Sequence, residues 1–134
     1  MPLSTALADT GGGGADLGLD AVAISGGTIV AKTAVVTLHG TISCSQDLTA
    51  FVWADVSQVV GRFNTIRGTG GQEVACSAAS GTAAFDMTVF AEAGKFAPGN
   101  VRVGAYADTG YCDAIDCYDD FASFGPAAVR LSRR

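Results

Sequence analysis

In "AVVTLHGTISCS" the side chains alternate in character. Val36, Leu38, Ile42 and Cys44 fall on one face, and Thr37, His39, Thr41 and Ser43 on the other. A period of two is the signature of a half-buried β-strand, here with a cysteine pointing inward. "FDMTVFAEA" repeats it, with Phe85, Met87, Val89 and Ala91 set against Asp86, Thr88 and Glu92. "NVRVGAYAD" directs Val101, Val103, Ala105 and Ala107 inward and Arg102, Tyr106 and Asp108 outward, and "AAVRLS" closes with Val129 and Leu131 inward. Further strand candidates cover residues 21–25, 28–32, 50–59, 62–67 and 73–77. Turn signals separate them at Gly26-Gly27, Gly68 to Gly71, Ser80-Gly81, Gly94 and Pro98-Gly99. No stretch sustains a helical period. Seven to nine short strands at this spacing predict an all-β domain, an immunoglobulin-like β-sandwich in first place and a closed barrel in second.

Composition agrees. Glycine numbers 18 in 134 residues against 3 prolines, which suits many strands joined by tight turns. Apolar residues make up 49% and charged residues 16%, so the chain can form a packed core. The length suits one domain. The net charge of −5 argues against sequence-independent nucleic-acid binding, which needs a basic footprint. No apolar run approaches the roughly 18 residues of a membrane-spanning helix.

Four cysteines, Cys44, Cys76, Cys112 and Cys117, contain no C-x-x-C spacing, so paired disulfides are expected rather than a thiolate zinc site. Four cysteines allow three pairings. The five-residue separation of Cys112 and Cys117 suits a tight loop and favours Cys44–Cys76 with Cys112–Cys117. Disulfides imply an oxidising compartment, hence a secreted, extracellular protein. Residues 1–18, with "TGGGGADLG", read as a flexible glycine-rich lead or a tether. Ala6-Leu7-Ala8 matches the pattern that signal peptidase cuts after, as in a remnant of a cleavage region. Residues 19–134 then form the single sandwich domain.

The run "VVTLHGTISC", the mid-chain Cys76, "FAPGNVRVGAYAD" and the closing "AAVRLS" resemble a family of small secreted actinobacterial proteins of unknown function. The resemblance spans roughly residues 20–132 and carries over no active site. The close pair Cys112 and Cys117 is also similar to the late short bridge of the neocarzinostatin family of enediyne-carrying apoproteins. That likeness implies a secreted immunoglobulin-like sandwich with two disulfides and a ligand cleft.

Candidate chemistry is sparse. His39 is the one histidine, and no nucleophile motif accompanies it, so an enzyme is not expected. The stretch "GYCDAIDCYDD" concentrates Asp113, Asp116, Asp119 and Asp120 around the two tyrosines Tyr111 and Tyr118. Its spacing departs from the calcium-loop pattern, and neither a metal nor a cofactor is expected. It reads instead as a rigid acidic recognition loop, because tyrosine supplies contact area at low entropy cost. Phe51, Trp53, Phe90 and Tyr106 fall on nominally outer faces and form a candidate aromatic patch, although Trp53 is expected in the core, as in many sandwiches. Arg130, Arg133 and Arg134 close the chain with charge that suits solubility or an acidic partner. These features point to a non-enzymatic module that binds another protein, with a carrier of a small apolar ligand as the alternative.

Overall fold

The computed structural model describes residues 16–134; residues 1–15, most of the expected lead, lie outside the described residues. Seven strands follow in order: β1 Leu19–Val30, β2 Val35–Cys44, β3 Leu48–Val60, β4 Asn64–Cys76, β5 Thr82–Ala91, β6 Gly99–Cys112 and β7 Cys117–Arg133. The described residues contain no helix. Hydrogen bonding runs round a closed barrel in the order β1-β2-β5-β4-β3-β6-β7, with β7 returning to β1.

The alternation read from sequence sets the two faces. Val36, Leu38, Ile42, Phe85, Met87, Val89, Val101, Val103, Val129 and Leu131 are all buried, as expected. They meet Ile29, Val52, Val56 and the inward alanines of β3 and β6 in one continuous core. Burying a Val, Leu or Ile side chain is worth about 1.5–3 kcal/mol, so this inner stripe is what stabilises the barrel.

Two expected turns are strand interior. Gly26-Gly27 lies inside β1, where the register against β2 shifts between Ile24 and Gly26, a bulge rather than a reversal. Gly68 to Gly71 lies inside β4, which runs unbroken from Asn64 to Cys76 against the whole of β3. The glycines serve close approach. A Cβ on Gly70 would sit 2.5 Å from the Thr88 carbonyl oxygen and 3.1 Å from Met87 Sδ. Bare backbone here lets β4 cross from β3 to β5, to which it pairs only at Gly68↔Ala91 and Thr69↔Phe90. The other seam is also short: β1 and β7 pair in parallel from Gly27↔Leu131 to Ile29↔Arg133. Sheet closure therefore replaces two separate sheets.

Cys44 pairs with Cys76 and Cys112 with Cys117. The first ties β2 to β4, strands that are not neighbours in the barrel, and both its cysteines are buried. The second closes the β6–β7 hairpin. With a sequence separation of 32, the Cys44–Cys76 link restricts the unfolded chain by about 4 kcal/mol, against about 2 kcal/mol for the short one. Replacing Cys44 and Cys76 by alanine is accordingly expected to cost more stability in urea unfolding than replacing Cys112 and Cys117. Gly70→Ala should cost about 1–3 kcal/mol by the same measurement, since its obstacle is backbone.

Candidate functional site

The register of four adjacent strands builds one outer wall. Trp53 stands opposite Gly71 on β4 and Tyr106 on β6. Tyr106 faces Ser123 on β7, and Phe121 is the partner of Asp108 one row away. Ring centroids follow in sequence: Phe51 to Trp53 at 4.6 Å, Trp53 to Tyr106 at 6.0 Å and Tyr106 to Phe121 at 5.7 Å. All three pairs are tilted, toward the edge-to-face arrangement that ring quadrupoles favour. Phe51 lies over Gly71, whose Cβ would come within 2.9 Å of the Phe51 ring, so the missing side chain makes room for it.

This ladder corrects one expectation. Trp53 is on the outer wall with 47% of its surface exposed, not in the core. Its neighbours Val52 and Ala54 take the inward positions, and strict alternation leaves the indole outside. Phe51 and Tyr106 join it, whereas Phe90 does not. Phe90 stands on β5, 67% exposed, across a groove of about 530 Å³ that Trp53, Gly70, Gly71, Asp86 and Thr88 also line. Phe121 is a ladder residue outside the strand candidates read from the sequence. Its signal is present, because Asp119, Phe121 and Ser123 alternate with Ala122 in the same way.

The acidic stretch is less a loop than a hairpin tip. Strands reach Cys112 and resume at Cys117, so only residues 113–116 turn. Asp113 organises that turn. Its Oδ1 accepts the Ile115 and Asp116 amides at 2.8 and 2.7 Å, and its own amide donates to the Asp116 carbonyl. The Asp116 and Ile115 amide bonds hold the Asp113 carboxyl below the usual carboxylate range. Tyr111 and Tyr118 pair across the strands and stack at 6.4 Å. Asp120 is structural, since its Oδ2 accepts the Leu17 and Leu19 amides at 2.9 and 3.0 Å and anchors the start of β1. Asp116 and Asp119 remain exposed. Among the described residues no set of three or more His, Cys, Asp or Glu side chains converges as a metal site.

Between ladder and tip the field is negative. Burial, then the Asp119 charge, raises the Asp108 carboxyl; burial, then Asp108 and Asp119, raises the Tyr106 phenol. His39 lies elsewhere, 2.6 Å from Asp86 on the β2–β5 wall. No hydroxyl or thiol among the described residues hydrogen-bonds to its ring.

Against these features, no family model matches the chain, and neither a curated protein nor a solved structure matches it.

The two aspartates carry opposite pH signatures. Asp113, with a lowered folded pKa, contributes stability present above its unfolded value near 3.8 and lost as pH falls through the folded value. Asp108, with a raised one, favours the folded state most below 3.8 and loses that contribution as pH rises through its folded value. Asp113→Ala is thus expected to lower the melting temperature at neutral pH, and Asp108→Asn to raise it. Both differences should shrink in melts at progressively lower pH.

Proposed function

We propose that this chain is a secreted, non-enzymatic binding module, a protein-binding subunit of an extracellular assembly, with the ladder Phe51–Trp53–Tyr106–Phe121 as its docking face. The observation that carries this reading is the continuity of the ladder. Four rings in contact stand on the outside of a wall whose inside already completes the core. Contiguous exposed aromatic surface is uncommon on a protein that has no partner, and aromatic anchors dominate protein interfaces. Export is supported by the two disulfides, which form and persist in an oxidising compartment. No helix of the described residues is long and apolar enough to cross a membrane.

We read the barrel as an immunoglobulin-like sandwich drawn closed. The two thin seams divide it into β1-β2-β5 and β4-β3-β6-β7, which keeps the resemblance to secreted actinobacterial sandwiches and to the neocarzinostatin apoproteins. That architecture supports a second reading, a carrier of a small apolar ligand. The groove between Trp53 and Phe90 has the volume of a small-molecule site.

One experiment separates the two. Immobilised wild-type protein and a Phe51→Ser, Trp53→Ser, Tyr106→Ser variant, both folded by circular dichroism, are exposed to the secreted fraction of the producing cells. A docking module retains a discrete protein on the wild type alone. Equal retention on both, or none, overturns it. The carrier reading expects Phe90→Ser to abolish a small-molecule-induced change in the fluorescence of Trp53, the chain's one tryptophan.

A further inference from the structure

The strands run alternately up and down, so every second connection returns to the same end of the barrel. The connections at 31–34, 61–63 and 92–98 share one end and hold Lys32, Arg62 and Lys95. Arg67 and Arg102 stand on either side of Ser57 toward that end. Arg130 faces Asn100 at the start of β6, Arg133 is level with Ile29 near the end of β1, and the Arg134 amide donates to the Ile29 carbonyl. These are all eight basic residues of the chain, dispersed in sequence and gathered by the fold. Glu92 and Asp55 are carboxylates near them, and both line one cleft with Arg67 and Arg102.

The opposite end carries the reverse sign. Asp113 and Asp116 form its tip, with Asp119 and Asp120 at the start of β7. Asp16 and Asp20 flank the start of β1, Asp47 sits in the β2–β3 turn, and Glu73 and Asp108 are level with Phe51. Along β3, 13 residues long, the two ends are separated by about 40 Å. Among the described residues no carboxylate lies within ion-pairing distance of a lysine or arginine, and His39–Asp86 is the one close acid–base contact.

Gathering like charges works against the compact state. Each end also presents an apolar projection within its charge. Ile115 is 87% exposed at the acidic tip, beside the stacked tyrosines. Phe63 and Val59, 90% and 73% exposed, project at the basic end. An apolar centre within a charged rim is the anatomy of an interface. Here the two faces are complementary to each other.

We infer that copies of this chain associate head to tail, the acidic 110–120 hairpin end of one seating on the basic end of the next. Such a contact is heterologous: each end-to-end stack keeps one free face of each sign, so growth continues into an open filament unless the rotation closes a ring. Individual exposed ion pairs are weak, so the association depends on their number and on Ile115, Phe63 and Val59 becoming covered. The net charge of −5 opposes it at long range and the end-to-end complementarity favours it at contact. Phe51 and Phe121 lie level with Asp108, while Trp53 and Tyr106, one row farther from the tip, stay on the free side wall in such a stack.

Sedimentation velocity over a wide protein range, in about 50 mM and about 500 mM NaCl, tests the inference directly. Wild-type protein should form species beyond the dimer at the lower salt and revert to monomer at the higher. Arg130→Glu with Arg133→Glu and Arg134→Glu cancels the positive excess of the basic end; Asp116→Lys with Asp119→Lys cancels the negative charge of the hairpin tip and leaves the Asp113 turn intact. Each variant alone should associate at least about tenfold more weakly than wild type, and an equimolar mixture of the two should recover a dimer, the intact acidic end of one variant meeting the intact basic end of the other. Trp53→Ser with Tyr106→Ser, which leaves the Phe51 row unchanged, should assemble as wild type does, so failure of the ladder as a docking face and failure of this inference are distinguishable. A wild-type monomer at every concentration overturns it. So does wild-type association that stops at a dimer, or association that survives both sets of charge substitutions. Binding of the basic end to heparin without any self-association would overturn it too, and would assign that end to a polyanion.

Discussion

The structure depends most on the pairing of β3 with β6. From Phe51↔Asp108 to Ser57↔Arg102 the two strands run in unbroken antiparallel register, and that register decides which side chains are neighbours on both faces at once. Inside, it sets Val52 opposite Ala107 and Val56 opposite Val103 in the core. Outside, it sets Trp53 beside Tyr106. A slip of one residue would turn Trp53 inward and expose Val52, so burial of the inner stripe holds the outer ladder in place. The ladder therefore needs no energetic support of its own. It is positioned by a core that it does not enter.

Closure adds a second constraint. The barrel closes through two thin seams, and the chain meets both with residues that lack bulk. At one, Gly70 lets β4 approach the Thr88 carbonyl. At the other, Gly27 lies against Leu131, whose Cδ2 would be 2.7 Å from an added Cβ. The short seams leave the Cys44–Cys76 link as the covalent tie across β2 and β4, between which β5 intervenes. The loop at 92–98 is fixed by another route. The buried Gln58 amide donates to the Ala97 and Asn100 carbonyls and accepts the Ala97 amide, while Phe96 is buried in the core.

How much of this is legible in the chain follows from what each signal means physically. Alternation reports burial directly, so the inward faces of β2, β5, β6 and the end of β7 can be read from sequence alone. Glycine reports only that a side chain is absent. At Gly81 and Gly94 the absence serves a positive φ in a connection, while at Gly26-Gly27 and Gly68 to Gly71 it serves a bulge and a close approach within a strand. The same letter stands for all three uses, and only the neighbouring strand distinguishes them. Trp53 departs from expectation for a different reason. The alternation of Phe51 and Trp53 against Val52 and Ala54 places it outside, and a core tryptophan belongs to sandwiches in general rather than to this local pattern. The acidic hairpin is visible as composition, although the roles of Asp113 in the turn and Asp120 at β1 depend on hydrogen bonds that no spacing rule encodes.

Charge distribution lies at the far limit of legibility, because it is a property of topology rather than of any segment. Lys32, Arg62 and Lys95 are separated by about thirty residues each, which is about twice a strand and its connection. An up-and-down chain returns them to one end at that period, just as it sends Asp47 and the 113–116 turn to the other. Among the basic residues only those of the closing "RLSRR" show as a cluster in the sequence, and even that gains a meaning from the strand that carries it beside β1. Closure also decides how such a molecule can associate. A barrel takes up strand edges in its seams, so main-chain pairing has less to offer a partner than in an open sheet. Recognition then falls to side chains, on the wall through the aromatic ladder and at the ends through charge. The ladder starts at the row of Phe51 and Asp108 and runs on along the wall to Trp53 and Tyr106, so a partner on the wall and a copy at the acidic end would meet only at that row.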